Sequence, residues 1–370
     1  MKVCMISGIA KFSGGLEHVV DELSAFLTKR GVAVDIFGQS NQDFIEFEHN
    51  CRIIGCHPYS LFPHRIGLPI GKFEYNLKAW RKTRSFGPYD IIHGHGDNCF
   101  FSSLFRERER ESVRTPFLMT FHGTMAKSLQ RSVGLRYKLL CYPEKVAAAR
   151  CDIAVACSKA VKNELIQYYG VPSKKITIIH NGINVEKFMP IDKKRARRKL
   201  LLPECNTYAL WVGSNPYRKG LLMAVKAVEK SYCSKLLVVG MHGRNSEKTI
   251  FLGKLSEQDL ITVYSAADVL IFPTIYEGFP MVPLEALACG LPVIVSEESN
   301  MSEIIKTDIH GFVVKDKTIA AYSEKIDYIL NDATVLKDMS FKCRRLALDY
   351  CWQNQAEKYW LLYHKLLKNQ

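Results

Sequence analysis

Short apolar runs rich in β-branched residues alternate with helix-length segments along the chain, and this alternation limits the fold more than any other feature. The runs fall at residues 2–7, 34–37, 90–92, 117–121, 152–156 and 175–179, and a second series follows at 208–212, 235–239, 269–272, 292–295 and 312–314. A run that is apolar throughout, rather than at every second position, reads as a strand buried on both faces. Strands of that kind need helices on both sides of a largely parallel sheet, so the expected class is α/β. At 370 residues the chain is too long for one ordinary core, and two series of strands predict two such domains in tandem. Asn181-Gly182 marks a turn between them, followed by a polar stretch at 186–204 that carries Lys193, Lys194, Arg195, Arg197, Arg198 and Lys199. The expected domains are therefore 1–185 and 186–348, with 349–370 as a terminal helix in which Ala356, Tyr359, Trp360, Tyr363, Leu366 and Leu367 recur at helical spacing.

After the first run, residues 8–15 read as a loop, and Leu16, Val19, Val20, Leu23, Phe26 and Leu27 then recur at helical spacing. Gly14 and Gly15 thus stand at a helix entrance, where glycine lets a backbone approach a ligand closely. A tight turn between strand and helix is the plain alternative. A second strand, loop and helix is expected around residues 276–290, Tyr-Glu-Gly-Phe-Pro-Met-Val-Pro-Leu-Glu-Ala-Leu-Ala-Cys-Gly. Pro283 suits the first turn of its helix. The backbone from Phe279 through Pro280 and Met281 to Val282 would then face outward at the helix N-terminus, a receptor for an anion such as phosphate. Glu285 is expected in the first turn and Glu277 in the preceding loop. Carboxylates repel phosphate, so both are better suited to accept hydrogen bonds from the hydroxyls of a ribose or a hexose. That combination is the chemistry of a nucleotide sugar.

The net charge of +14 asks for an anionic partner. The twelve cysteines are scattered without a Cys-x-x-Cys pair, and the chain opens Met-Lys-Val-Cys-Met without a signal peptide, so a reducing cytoplasm is the expected compartment. No apolar run has the length needed to span a membrane.

The setting Glu-Gly-Phe-x-x-x-x-Leu-Glu-Ala-x-Ala-x-Gly at 277–290 resembles the signature of the large retaining glycosyltransferase family called family 4. Its members have the GT-B architecture, two Rossmann-like domains facing a cleft, with a last helix that crosses back onto the first domain. The resemblance implies an acceptor domain followed by a donor domain. Gly14, Gly15 and Glu17 match the family's Gly-Gly-x-Glu element, whose amides face the donor phosphate. Gly213 is followed by Ser214, where many members have Arg, but Arg218, Lys219 and Gly220 match the later Arg-Lys-Gly; a planar fork and a point charge suit a departing diphosphate. His122 matches the histidine beside the transferred sugar, against a plain role at a strand end. Phe251, Leu252 and Gly253, with Ser256, Asp259, Leu260 and Tyr264, resemble the segment that holds the nucleobase. In this reading Glu277 holds sugar hydroxyls and Glu285 the ribose.

The resemblance further implies transfer of a hexosyl group with retention, from a nucleoside-diphosphate sugar, UDP by family frequency, to a saccharide or lipid-linked acceptor in envelope or surface glycan assembly. The chain has no Asp-x-Asp motif, so no metal and no cofactor beyond the donor are expected. His93 and His95 alternate onto one strand face and read as structural rather than as metal ligands. Lys72, Phe73, Leu77, Lys78, Trp80, Arg81, Lys82 and Arg84 could form a basic amphipathic helix on an anionic membrane, or an ordinary core helix. Residues 106–114 alternate in charge. The run at 193–199 reads as a solvated helix, and no nucleic-acid partner is expected. A nucleotide-sugar epimerase of the same architecture, or a non-catalytic basic nucleic-acid-binding protein, are the alternatives.

Overall fold

The computed structural model describes residues 1–9, 15–48, 50–57, 70–105, 114–129 and 135–368. The chain divides into two compact units, Met1–His180 with Gln353–Gln370, and Asn181–Trp352. The first is built from β1 (Lys2–Ile9), α1 (Gly15–Lys29), β2 (Ala33–Gln39), β3 (Phe44–Glu48), β4 (Cys51–Cys56), α2 (Ile70–Phe86), β5 (Ile91–His95), α3 (Phe100–Leu104), β6 (Phe117–Phe121), α4 (Met125–Ser128), α5 (Leu135–Arg150), β7 (Ile153–Ala156), α6 (Lys159–Tyr169) and β8 (Ile176–Ile178). The second runs through α7 (Lys193–Lys199), β9 (Tyr208–Val212), α8 (Leu221–Lys230), β10 (Lys235–Val239), β11 (Thr249–Gly253), α9 (Glu257–Ala266), β12 (Val269–Phe272), α10 (Met281–Ala288), β13 (Val293–Ser296), β14 (Gly311–Val314), α11 (Ile319–Leu330) and α12 (Ala333–Asp349). A last helix, α13 (Trp352–Lys368), starts at the division and packs within the first unit.

Both sheets are doubly wound. The first has eight strands in the order β3-β4-β2-β1-β5-β6-β7-β8, parallel except for the antiparallel edge pair β3 and β4. The second has six strands in the order β11-β10-β9-β12-β13-β14, all parallel. Strands β9 and β12 are buried at every position, as continuous apolar runs covered on both faces must be. Three strands fall outside the expected runs: β3, β4 and β11.

The terminal helix turns its apolar stripe inward. Ala356, Tyr359, Leu362, Tyr363 and Leu366 join one core with Val3, Met5, Ile91 and Leu118, the inward-facing residues of β1, β5 and β6. Each large side chain buried this way contributes roughly 1.5–3 kcal/mol, enough to hold the helix against the sheet without strong intrinsic propensity. Two polar bonds fix its position: His93 Nδ1 lies 2.7 Å from Tyr363 Oη, and Thr120 Oγ1 lies 3.3 Å from Tyr359 Oη.

Part of the positive charge on each basic helix is paired or turned inward. On α2, Lys78 and Lys82 turn inward and share Asp43 at 2.6 and 3.4 Å, while Lys72 pairs with Asp97. Arg81 and Arg84 are the cations of α2 left exposed, and Phe73 packs on Phe100 and Phe101. On α7, Lys194, Arg195, Arg198 and Lys199 are exposed, as expected of a solvated run, whereas Arg197 is buried and donates to Asp268 at 2.7 Å, with Lys193 on the other carboxylate oxygen at 2.8 Å. Most of the alternating tract at 106–114 lies outside the described residues. Among the described residues no helix is long and apolar enough to cross a membrane.

Candidate active site

In the second sheet the strand order reverses between β9 and β12. Open α/β sheets bind ligands in the crevice beyond the carboxyl ends of the strands at such a point. The loops leaving there, 213–220 and 273–280, are tied together: the Ile275 N–H and the Thr274 hydroxyl both donate to Arg218 O, at 2.8 and 3.0 Å. Gly220 makes this junction possible. Its φ is +68°, and a Cβ there would fall 2.1 Å from the Pro273 carbonyl oxygen. Within the first loop, the buried Trp211 indole N–H donates to Lys219 O at 2.9 Å, and Gly213 leaves room for the Lys219 stem, whose Cδ would lie 2.5 Å from an added Cβ.

The fold thus brings Gly213, Arg218, Lys219, Glu277 and Glu285 to one place. Lys219 is the inner cation, with its ammonium 5.5 Å from the centre of the Phe272 ring. Burial, and then the neighbouring Arg218 charge, lower its pKa, while Glu277 and Glu285 act in the opposite direction. Arg218 is exposed, and its Nη2 lies 3.5 Å from Glu277 Oε1. That oxygen is buried and takes no hydrogen bond among the described residues. The Glu277 loop is held by Asn300, whose Nδ2 donates to Glu277 O at 2.6 Å, and by the Glu277 N–H, which donates to Glu298 O at 3.2 Å. Asn181 donates to Phe279 O at 2.8 Å.

Helix α10 starts at Met281, two positions before Pro283, with Pro280 as its N-cap in extended conformation. This corrects two expectations. Glu285 opens the second turn instead of lying in the first, and Pro280, without an N–H, cannot donate to an anion. Pro283 lacks one as well, so the first turn offers the amides of Met281 and Val282. Glu285 is gripped from the side by Tyr264 on α9, whose hydroxyl donates to Oε2 at 2.7 Å.

A model of glycosyltransferase family 4 matches residues 13–187, and one of glycosyl transferases group 1 matches residues 192–345. The chain belongs to the family-4 GT-B glycosyltransferases. It is 26% identical over 388 residues to an uncharacterised glycosyltransferase of Methanocaldococcus jannaschii, covering 97% of this chain and 96% of that protein. Among solved structures, sucrose-phosphate synthase from Thermosynechococcus elongatus superposes with a TM-score of 0.83 at 23% identity, covering 100% of both chains. Anabaena HepE, in complex with UDP and glucose, gives 0.75 at 16% identity, covering 99% of this chain and 100% of that one. At these identities the structural likeness is one of fold.

In the first unit of this glycosyltransferase, Gly14 lies outside the described residues and Gly15 is the first residue of α1, beyond the carboxyl end of β1. His122 follows β6 directly and is half-buried. It belongs to a row of imidazoles: His95 Nδ1 lies 3.3 Å from His122 Nε2, and the His93 and His95 rings are 4.2 Å apart. Burial, and then the charge of His122, lower the His93 pKa to about 3. Burial lowers that of His95 well below the ordinary value, with His93 and His122 adding to it, so both are neutral. His95 Nε2 and Ser7 Oγ are buried without hydrogen-bond partners among the described residues. Among the described residues no group of three or more His, Cys, Asp and Glu side chains is placed to hold a metal ion.

Leu252 lies on edge strand β11, with β10 between it and β9. Sequence reasoning missed Trp211, Asn181 and Asn300 as supports of the site, and it read Tyr264 only as part of the nucleobase segment. Each acts through polar bonds to residues outside its own element, which leave no periodic trace. The left-handed backbone at Asn300, φ +58°, is compatible with asparagine but not diagnostic of it.

Proposed function

We propose that this glycosyltransferase moves a hexosyl group from a nucleoside-diphosphate sugar to a saccharide or lipid-linked acceptor, with retention and without a metal. The observation that carries the reading is Lys219, a half-buried cation at the switch point of the second sheet, on whose charge both Glu277 and Glu285 act. A diphosphate flanked by two polyhydroxyl groups complements that arrangement of one cation and two acceptors.

In this reading Lys219, Arg218 and the Met281 and Val282 amides stabilise the charge that grows on the diphosphate as its bond to the anomeric carbon breaks. The new bond forms from an acceptor hydroxyl on the same face, and its proton passes to the departing phosphate oxygen. Glu277 accepts hydrogen bonds from sugar hydroxyls, exchanging its long contact with Arg218 for them, and Glu285 accepts from the ribose. Gly213 gives the phosphate a close approach, Gly14 and Gly15 serve as further donor contacts, Leu252 and its neighbours hold the base, and His122 meets the transferred sugar. UDP is the first choice, in line with the UDP and glucose of the Anabaena structure. Cysteine usage supports a reducing cytoplasm. Envelope or surface glycan assembly is the proposed context, and for a lipid-linked acceptor at an anionic surface α2 offers Arg81 and Arg84.

Calorimetry with UDP, GDP and ADP, first with chelator and then with magnesium, tests the reading. One nucleotide should bind without metal, and Glu285→Gln should weaken it by tenfold or more, on the order expected for a charged hydrogen bond. Unchanged binding in Glu285→Gln would remove the donor site from this cluster.

A further inference from the structure

Tyr264 is among the largest fully buried side chains, and its ring packs against Phe188. Its hydroxyl lies 2.7 Å from Glu285 Oε2 and 3.5 Å from Val282 O. Burial, and then the Glu285 charge, raise its pKa well above the ordinary value, so the proton stays on the phenol and the hydroxyl is the donor of this bond. A glutamate on a helix surface ordinarily samples several rotamers. Here a rigid aromatic ring anchored on α9 fixes one carboxylate oxygen, and with it the plane of the group.

We propose that Tyr264 is a positioning residue for the donor: its hydroxyl holds Glu285 in the orientation that accepts from both ribose hydroxyls, and thereby sets preference for ribo- over deoxyribonucleotides. The proposal rests on the reading that Glu285 meets the ribose. A carboxylate held in place rejects a ligand lacking one hydroxyl because its own lone pair is then left unmet. A carboxylate free to rotate turns to water and discriminates less.

The test is calorimetric binding of UDP, GDP and ADP, followed by the 2′-deoxy and 3′-deoxy forms of whichever binds. The wild type should prefer the ribonucleotide by about tenfold or more. Tyr264→Phe, which keeps the ring, should weaken the ribonucleotide and leave the deoxy forms nearly unchanged, bringing the preference to about threefold or less. In Glu285→Gln the further change Tyr264→Phe should have no effect on the preference. If Tyr264→Phe keeps the full preference, or weakens all forms equally, the hydroxyl has only a structural role and the proposal fails. Loss of preference in Glu285→Gln alongside its retention in Tyr264→Phe would overturn the role of Tyr264 alone. Retention in Glu285→Gln would overturn the ribose reading itself.

Discussion

His93 is a buried base that the fold keeps uncharged, and this makes acid a selective probe of how the terminal helix is held. The imidazole is fully buried, with Nδ1 2.7 Å from Tyr363 Oη on α13 and Nε2 2.7 Å from Thr120 Oγ1 on β6. Its pKa falls from 6.5 to about 3, by burial first and the His122 charge second. For a base with a depressed folded pKa, the unfolded chain binds a proton that the folded chain refuses. The resulting stability is present above pH 6.5 and is lost as pH falls toward 3. At about pH 5, roughly 1.5 pH units below the unfolded value, the loss is about 2 kcal/mol.

His93→Gln removes this titration together with the imidazole's bonds to Tyr363 and Thr120. At pH 7 the variant should be less stable by about 1–3 kcal/mol for the lost hydrogen bond and the group it leaves unmet. Its deficit should then shrink by about 2 kcal/mol between pH 7 and pH 5, because only the wild type carries the His93 proton penalty. Urea unfolding followed by circular dichroism and tryptophan fluorescence, with Trp360 on α13 as a reporter, measures both differences. His95 is present in both proteins, and burial, the largest cause of its lowered pKa, acts on it in both. A deficit that stays constant or grows toward pH 5 would mean that His93 carries its proton in the folded state, and the reasoning from burial would be wrong.

Two further outcomes probe the second unit. Asp268→Ala leaves the buried Arg197 guanidinium without its carboxylate, and the Tyr208 N–H, which donates to the same oxygen at 2.7 Å, without an acceptor. A loss of about 3–5 kcal/mol is expected in denaturant unfolding, and a change below 1 kcal/mol would show that the pair is solvated. Gly220→Ala places a side chain on left-handed backbone and against Pro273 O. The backbone alone costs about 1–3 kcal/mol, so scanning calorimetry should find a lower Tm. Because the same junction holds the two site loops, nucleotide binding should weaken as well; wild-type values of both would refute the junction's importance.

The strands that could be read from the sequence are those whose two faces are both covered. β9 and β12 must be apolar at every position, and a continuous run is visible without knowing its neighbours. β3 is an edge strand with Ile45 and Phe47 exposed, so no core-facing pattern marks it. β4 carries Arg52, a charge that belongs in a strand only because Asp35 on β2 accepts its Nε–H at 2.8 Å. β11 is likewise an edge strand, half-buried over much of its length.

The same division runs through the site. Loops with glycine after apolar runs, and two glutamates around a helix start, are local features that the order of residues displays directly. The sequence therefore determined two doubly wound units and the neighbourhood in which Lys219, Glu277 and Glu285 meet. Only the tertiary structure decided that α10 starts at Met281, that Lys78, Lys82 and Arg197 face inward, and that Tyr264 holds Glu285. Apolar burial imposes a period on neighbouring residues, whereas a polar pair needs only one partner brought near by the fold, at any distance along the chain.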